Sequence, residues 1–459
     1  MKAKASLREI LRVLFVYDEE ARFDLFAAFP RLKTFFANRR YFALIRTFGD
    51  VTFTFLILFG LFGPQEPDRN VMLFVSWGVW WTSIVLSWFF LGRMWCGFCP
   101  FPGLGRIVQR LGLYRPKLPP RSISKYCAYV ATLLFALIIW AEAVFHMKHS
   151  PLATAILLLL ILSGATLLAI LFKGQAWCRH FCPLGKIVGS AATLSILEFR
   201  ADLEKCRGCT TFACKRGRDG KPGCPVYLGA YAVRNNLLCL VCGHCVPLCE
   251  RDSPRLYLRH PLRELVINKG RYLTCTYIIP FLMASQLARF IQEKTTWYQV
   301  LRQELFNSEA LSFSLILAGL FLIFVYLIRL GAKLFTVYED ELFGRFSPMV
   351  PVLVPLAFTG ELVYRLEYFL HEVGNFGPVI ARQFKVPFFA RFSFTLPESL
   401  IHHLLLGIMA LGTAGAVYVA HLLAHREFEG LVPRRNFWAI LGLVGLVSAS
   451  YFYFVSVHQ

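Results

Sequence analysis

The chain has 459 residues, of which 56% are hydrophobic and only 17% are charged, and its mean hydropathy is +0.53. A soluble domain is usually about 25% charged, so this composition excludes an ordinary soluble protein, a disordered chain and a small disulfide scaffold. The net charge of +21 indicates contact with anionic lipid and not with nucleic acid, because basic excess in a membrane protein follows its topology.

Nine apolar stretches approach the roughly 20 residues that a helix needs to cross a bilayer. They cover approximately residues 47–63, 71–91, 127–145, 152–172, 272–290, 311–330, 350–370, 400–424 and 437–457. With the N-terminus inside, most of the 49 lysines and arginines fall on the cytoplasmic side, as the positive-inside rule requires. The sequence therefore predicts an all-α polytopic protein with about nine helices in the cytoplasmic (inner) membrane.

Four domains are expected from this pattern. A cytoplasmic N-terminal segment covers residues 1–46, and a four-helix membrane domain covers 47–197. Residues 198–271 are too polar to span a membrane and carry eight cysteines, so we interpret them as a small folded domain that faces the cytoplasm. A C-terminal membrane domain of about five helices covers 272–459.

The inserted domain carries two cysteine runs. They are Cys206-x2-Cys209-x4-Cys214-x9-Cys224-Pro and Cys239-x2-Cys242-x2-Cys245-x3-Cys249. The second run has the bacterial ferredoxin spacing, in which the fourth cysteine of each run ligates the other of two [4Fe–4S] clusters. The prediction is one cluster on Cys206, Cys209, Cys214 and Cys249, and another on Cys224, Cys239, Cys242 and Cys245. Structural zinc and disulfides are the alternatives. Zinc sites do not need three cysteines in a row at x2 spacing, and disulfides are disfavoured in the cytoplasm.

Another cysteine motif occurs twice. The two copies are Trp95-Cys96-Gly-Phe-Cys99-Pro100 and Trp177-Cys178-Arg-His-Phe-Cys182-Pro183, and each follows the cytoplasmic end of a predicted span. A pseudo-twofold axis along the membrane normal would bring the four thiols together. They could then hold a third iron–sulfur cluster or another metal, or act as redox-active pairs. Alternatively, each pair only shapes the exit of a helix, which its proline ends.

These motifs resemble the NapH/NosR-type membrane-bound polyferredoxins, including the MauN-like proteins, over about residues 47–271. The pair Cys178/Cys182 before Pro183 matches the C-x3-C-P motif of that family, whereas the spacing from Cys96 to Cys99 is one residue shorter. The resemblance implies four spans, a two-cluster ferredoxin region, and a quinol-linked electron carrier that serves a respiratory or maturation enzyme.

The C-terminal half offers two weaker signals. His371, His402 and His403 are expected at the outer face, where they could hold one haem b, although ordinary interface histidines are the favoured interpretation. Glu361 and Arg365 lie four residues apart inside the seventh span. Charges in a span usually face a partner or a wet cavity. Glu361 and Arg365 therefore predict either an intrahelical ion pair or a quinone and proton site.

The leading hypothesis is a membrane-bound iron–sulfur electron-transfer protein, as a subunit of a quinol-oxidising oxidoreductase complex, that passes electrons between the quinone pool and a respiratory partner. Basic residues of the insert either dock an acidic cytoplasmic partner or only obey the inside rule; they are Lys205, Arg207, Lys215, Arg216 and Arg218. One alternative is an assembly or maturation factor that reduces a metal or thiol during biogenesis of a redox enzyme. Another is a transporter or sensor with regulatory clusters.

Overall fold

A computed structural model describes residues 7–115, 117–267, 273–336, 339–341, 344–427 and 432–457. The last residues of the predicted insert, 268–271, and the first of the fifth apolar stretch, Tyr272, lie outside this range. The principal helices are α1 (Leu7–Phe15), α2 (Arg39–Phe62), α3 (Val71–Leu91), α4 (Met94–Phe98), α5 (Gly103–Arg110), α6 (Arg121–Val144), α7 (Pro151–Leu171), α8 (Pro183–Ala191), α9 (Leu273–Lys294), α10 (Thr296–Glu304), α11 (Glu309–Leu334), α12 (Met349–Glu372), α13 (Phe376–Phe384), α14 (Glu398–Leu422) and α15 (Arg434–Ser456).

The strands are β1 (Phe23–Asp24), β2 (Leu197–Ala201), β3 (Pro254–Leu258), β4 (Glu339–Glu341) and β5 (Gly344–Phe346). Short α-helices cover Leu25–Ala28, Pro30–Ala37, Leu203–Cys206, Ala213–Arg216 and Arg263–Ile267. Turns of 3₁₀-helix cover Pro67–Arg69, Met147–His149, Ala192–Leu194, Ala230–Ala232, Val373–Asn375 and Pro387–Arg391. Segments of π-helix cover Phe74–Trp80 within α3, Trp177–Phe181, and Leu423–Glu427.

The predicted all-α membrane architecture is confirmed. Among the described residues, eight helical segments are long and apolar enough to cross a bilayer, and they match eight of the nine predicted stretches. The remaining stretch forms the 22-residue helix α9, which carries Gln286 and Arg289 in its C-terminal half. Helix α2 begins at Arg39, earlier than the apolar stretch from residue 47.

The chain divides into two compact units, and the first four spans contribute residues to both. The first unit comprises Met1–Phe55, Ser87–Ala131 and Leu158–Ile267, and it contains every cysteine that the sequence singled out. The second comprises Leu56–Leu86, Thr132–Leu157 and Asn268–Gln459. The four predicted domain boundaries stay a prediction.

An antiparallel sheet in the first unit brackets the inserted cysteines. Its strand order is β1-β3-β2, with Phe199 opposite Leu256 and Phe23 opposite Leu258. Because side chains alternate across a strand, one face of the sheet is apolar and packs on phenylalanines from the N-terminal segment. These are Phe26, Phe36 and Phe42. Strands β2 and β3 flank the cysteine runs, so the sheet closes the inserted loop at its base.

The other face of this sheet buries a charge. Glu198 on β2 is fully buried and lies 3.2–3.6 Å from four guanidinium groups. They belong to Arg22, Arg200, Arg259 and Arg263. Burial alone would raise the pKa of Glu198, but the nearby arginines outweigh it and hold that pKa below its usual value. The base of the inserted domain is thus fixed by an apolar layer on one side and an ion cluster on the other.

Helix α12 forms the centre of the second unit. Every residue from Met349 to Arg365 is buried, and the helix packs against α9 and α14. Close approach of α12 and α14 depends on Gly412, since a Cβ at that position would overlap Thr359 Oγ1. A central helix of this kind is surrounded by protein and not by lipid, which allows it to carry charged residues.

Candidate metal centres

The first cysteine motif occupies a tight reversal after α3. That helix ends at Leu91, and Gly92 takes a left-handed conformation with φ of +58°. Helix α4 then carries Cys96, and Cys99 follows directly after it. Pro100 comes next and keeps the chain extended after Cys99, so both thiols lie on one short turn.

The second motif uses a different local geometry for the same purpose. Cys178 lies in the π-helical turn Trp177–Phe181, and Cys182 caps the N-terminus of α8. The Cys182 Sγ accepts a hydrogen bond from the backbone N–H of Gly185 at 3.2 Å. The extra residue between the two cysteines, compared with the first motif, is accommodated by the wider π-helical turn.

The four repeat cysteines lie near one another, and the pseudo-twofold axis stays a prediction. Burial raises the pKa of Cys99 well above its usual value, and the nearby thiols of Cys178, Cys96 and Cys182 raise it further. Burial likewise raises the pKa of Cys182 to about 11, again with Cys96 close by. The two motifs therefore lie close to each other, with Cys178 buried and the other three cysteines partly buried.

The second run of the insert also converges with its remote cysteine. A cavity of about 30 Å³ is lined by all four of the predicted ligands. They are Cys224, Cys239, Cys242 and Cys245. Burial raises the pKa of Cys239 to about 11 and that of Cys242 to about 12, and Cys224 contributes in both cases. Cys224 of the first run therefore lies with the cysteines of the second run, and its role as a ligand of their cluster stays a prediction.

The cysteines predicted to hold the first cluster of the insert are less buried than those of the second. Burial raises the pKa of Cys214, with Cys249 and Cys206 among its neighbours. Ser253 links two of these thiols, because its Oγ lies 3.1 Å from Cys206 Sγ and its N–H donates to Cys249 Sγ at 3.4 Å. Cys209 lies on the same turn as Cys206, but its thiol is more accessible, and a backbone hydrogen bond from Phe212 lowers its pKa.

Within the part of the chain that is described, no three His, Cys, Asp or Glu side chains are arranged around the position of a single metal ion. The donor sets consist of cysteines alone, and thiolates select iron–sulfur clusters, zinc or copper(I) over hard cations. By donor chemistry, the cysteine groups are therefore compatible with iron–sulfur clusters, and the family model below supports that choice over zinc or copper(I) for the repeat group.

The repeat group and the second group of the insert share one apolar core. Cys178 and Cys242 are buried in it, and Cys96 and Cys224 pack against it. Gly97 makes this approach possible, since a Cβ there would lie only 3.0 Å from the Cβ of Cys242. The sequence did not predict this contact, although a glycine between the two cysteines of the first motif is the residue it requires.

A row of buried charges runs through the second unit. Arg365 donates to Glu142 through Nη1 at 2.8 Å and Nη2 at 3.2 Å, and its Nε donates to Glu361 at 2.9 Å. Glu361 also accepts from Arg289 at 2.8 Å and from Gln286 at 3.1 Å. The predicted pair of Glu361 and Arg365 thus exists, but both members are held by partners on other helices. This favours a structural role over a proton-accepting one.

The predicted haem histidines line one cavity of about 1020 Å³ in the second unit. His371 Nδ1 lies 3.5 Å from a carboxylate oxygen of Glu398, and the rings of His402 and His403 are 5.9 Å apart on the same helix. His146 and His149 also line the cavity. The haem hypothesis stays a prediction.

The basic residues of the insert are partly engaged within it. Arg218 pairs with Glu250, the residue that stands where a proline usually follows the last ferredoxin cysteine, and it also contacts Asp219. Lys215 lies over the ring of Tyr227. An acidic partner would meet a surface whose cations are already partly neutralised.

Comparison with known proteins supports the iron–sulfur interpretation of the repeated cysteine motif. A family model described as a 4Fe-4S binding domain matches residues 73–121 and 154–189, which are the two repeats. An uncharacterized protein of Methanocaldococcus jannaschii is 29% identical over 180 residues, which are 37% of this chain and 66% of that protein. The putative electron transport protein YccM of Escherichia coli is 25% identical over 44% of this chain and 59% of its own length.

Protein NirI of Paracoccus denitrificans is 26% identical over 28% of this chain and 21% of its own length. The chain therefore spans less than two thirds of each of these relatives. No solved structure matches it. The two matched segments are therefore similar to a 4Fe-4S binding domain, and they contain both copies of the repeated cysteine motif.

Proposed function

We propose that the protein is a membrane-bound electron carrier with three [4Fe–4S] clusters in its first unit. The two clusters of the insert would be held by the cysteine sets predicted from the ferredoxin spacing. The third would be held by Cys96, Cys99, Cys178 and Cys182. The family match supports this third site, because its two matched segments contain all four of these cysteines.

The contact between Gly97 and Cys242 carries the proposal. This contact supports a position of the third cluster site next to the second site of the insert. Cys245 of that second site is in turn close enough to Cys214 of the first site for the two thiols to affect each other. When bound, the clusters supply one-electron transfer. The protein's own contribution is to space the cysteine sets and to keep water out with the apolar core around Cys178.

The electron donor or acceptor on the membrane side would be a quinone or quinol, since a lipid-embedded carrier exchanges electrons with a lipid-soluble compound. On the other side a soluble or membrane-bound redox subunit would complete the path. The basic excess of the first unit supports a cytoplasmic position for the clusters. The name of the relative YccM, a putative electron transport protein, agrees with this class of function.

Iron and acid-labile sulfide measured on the anaerobically purified full-length protein test the proposal. We expect about twelve irons, because each of three cubane clusters contains four. Combined Cys96→Ser and Cys178→Ser substitutions should lower the content to about eight irons. Cys127→Ala is the matched control, since this buried cysteine belongs to none of the three sets.

Low-temperature EPR on the same samples should show one fewer reduced-cluster signal in the double variant. A quinol analogue should reduce at least one cluster in the wild type. Zinc in place of iron and sulfide would refute the cluster assignment. Unchanged iron in the double variant would refute the third site alone.

A further inference from the structure

Arg93 is a buried cation that neither the motifs nor the family match explains. It follows Gly92, whose left-handed backbone turns the chain back after α3, and it directly precedes α4. Only 2% of its surface is exposed. An arginine at the end of a span normally points to the headgroups and water. A guanidinium driven into the protein instead needs compensating partners, because an unpaired buried charge is expensive.

The described residues supply few hydrogen-bond or ion-pair partners for Arg93. Arginine has five N–H donors and cannot be deprotonated. Arg93 Nη1 donates to the carbonyl of Leu237. Its Nε and Nη2 have no hydrogen-bond partner among the described residues, and no carboxylate of the described range forms an ion pair with it. These two nitrogens are therefore available to an acceptor bound at the neighbouring cysteines.

The surroundings of the guanidinium identify that acceptor. On one side, a Cβ at Gly185 would lie 3.2 Å from the Cβ of Cys182, in the repeat group, and 3.3 Å from Arg93 Nη2. On the other side, Leu237, whose carbonyl accepts the hydrogen bond from Arg93 Nη1, is two residues before Cys239 of the second group of the insert. The cation thus lies between two cysteine sets.

We propose that Arg93 is shared by the two neighbouring clusters, donates its free N–H groups to their sulfur atoms, and raises the reduction potential of both. The inference rests on the proposed three-cluster function. Four thiolates make each cluster a net anion, and reduction adds one more negative charge. A buried cation with hydrogen bonds to sulfur favours the more negative form, and net charge and such bonds are among the factors that set cluster potentials.

The test is an EPR-monitored redox titration of the anaerobically purified full-length protein. For Arg93→Gln we expect two of the three cluster signals to move to lower potential. The expected size is at least a tenfold fall in the reduced-to-oxidised ratio at fixed potential, which is about 59 mV for one electron. Lys186→Met is the matched control. Lys186 is also a buried cation near Cys182, but its Nζ is already bonded to the carbonyl of Arg179. Its removal should move the repeat-group signal alone.

Iron content separates the possible failures. If Arg93→Gln keeps about twelve irons and both potentials are unchanged, the shared role of Arg93 is wrong and the three-cluster function stands. If the wild type itself lacks the third cluster, the proposed three-cluster function is wrong, and the shared role of Arg93 is wrong with it. If Arg93→Gln loses iron, Arg93→Lys decides. The compact ammonium group of lysine lacks the planar fork of N–H donors with which a guanidinium can reach in two directions. We therefore expect at least one of the two signals to move, and if neither moves the inference is overturned.

Discussion

The row of buried charges in the second unit makes a sharp prediction for Glu361→Gln. This carboxylate accepts hydrogen bonds from Arg289, Arg365 and Gln286. In the variant, Arg365 keeps its two hydrogen bonds to Glu142. Arg289 loses its hydrogen-bonded carboxylate, and the nearest remaining one, that of Glu142, lies 3.8 Å away. Two buried guanidinium groups would then share one acidic partner.

The expected loss of stability follows from this imbalance. Removing one partner of a buried ion pair destabilises a protein by about 3–5 kcal/mol, because the other charge remains buried. Glu361 is 4% exposed and Arg289 is 1% exposed, so water cannot replace the lost carboxylate. We therefore expect Glu361→Gln to lower the free energy of unfolding by about 4 kcal/mol.

Reversible unfolding in mixed detergent micelles, followed by far-UV circular dichroism, measures this difference. Glu66→Gln is the control, since Glu66 pairs with Arg69 at 3.3 Å and both side chains are more than half exposed. That substitution should change stability by about 0–1 kcal/mol. Combining Glu361→Gln with Arg289→Met removes one charge of each sign and should restore most of the loss.

The alternative for Glu361 is a proton acceptor for quinol oxidation. A loss below about 1 kcal/mol, comparable to an exposed pair, together with abolished reduction of the clusters by a quinol analogue, would refute the structural explanation. Full reduction by the analogue in a destabilised variant would support it.

Two further predictions concern the thiols and the helix packing. In protein freed of metal, iodoacetamide at about pH 8 should modify Cys209 much faster than Cys178, because thiolate is the reactive form. A backbone hydrogen bond lowers the pKa of Cys209, whereas burial raises that of Cys178; equal rates in a mass-spectrometric time course would contradict the geometry. Gly412→Ala should cost about 1–3 kcal/mol by overpacking against Thr359. Gly407→Ala, with open space around it in the same helix, should be stabilising by about 0.5–1 kcal/mol in the same unfolding assay, because alanine favours a helix more than glycine does.

The cysteine groups could be predicted from the sequence because their chemistry is written in local spacing. Three thiols at x2 intervals must share one turn, and the crossing of Cys224 follows from the ferredoxin rule. The proximity of Cys96 and Cys178 required only that two copies of one motif follow equivalent spans. Local pattern was enough to group these cysteines, while their role as cluster ligands stays a prediction.

The partners of the buried charges could not be predicted in this way. Glu142 and Arg365 are 223 residues apart, and no periodicity connects them. Arg93 resembles any other cation at the end of a span, so its burial becomes visible only when Gly92 and Gly185 are placed around it. Strand β1 has two residues and no alternation to detect. Contacts that depend on packing between distant segments leave no signal in one sequence.

The polarity of α9 has a consequence for how the protein is made. An arginine near the middle of a helix opposes its transfer from the translocon into lipid by about 2.5–3.5 kcal/mol. The carboxylate that compensates Arg289 is synthesised 72 residues later, in α12. Glu142, which is synthesised before α9, lies farther away, at 3.8 Å. We therefore expect α9 to be held stably in the membrane only once α12 has been made, and a chain truncated before Glu361 to be degraded faster than the full-length protein.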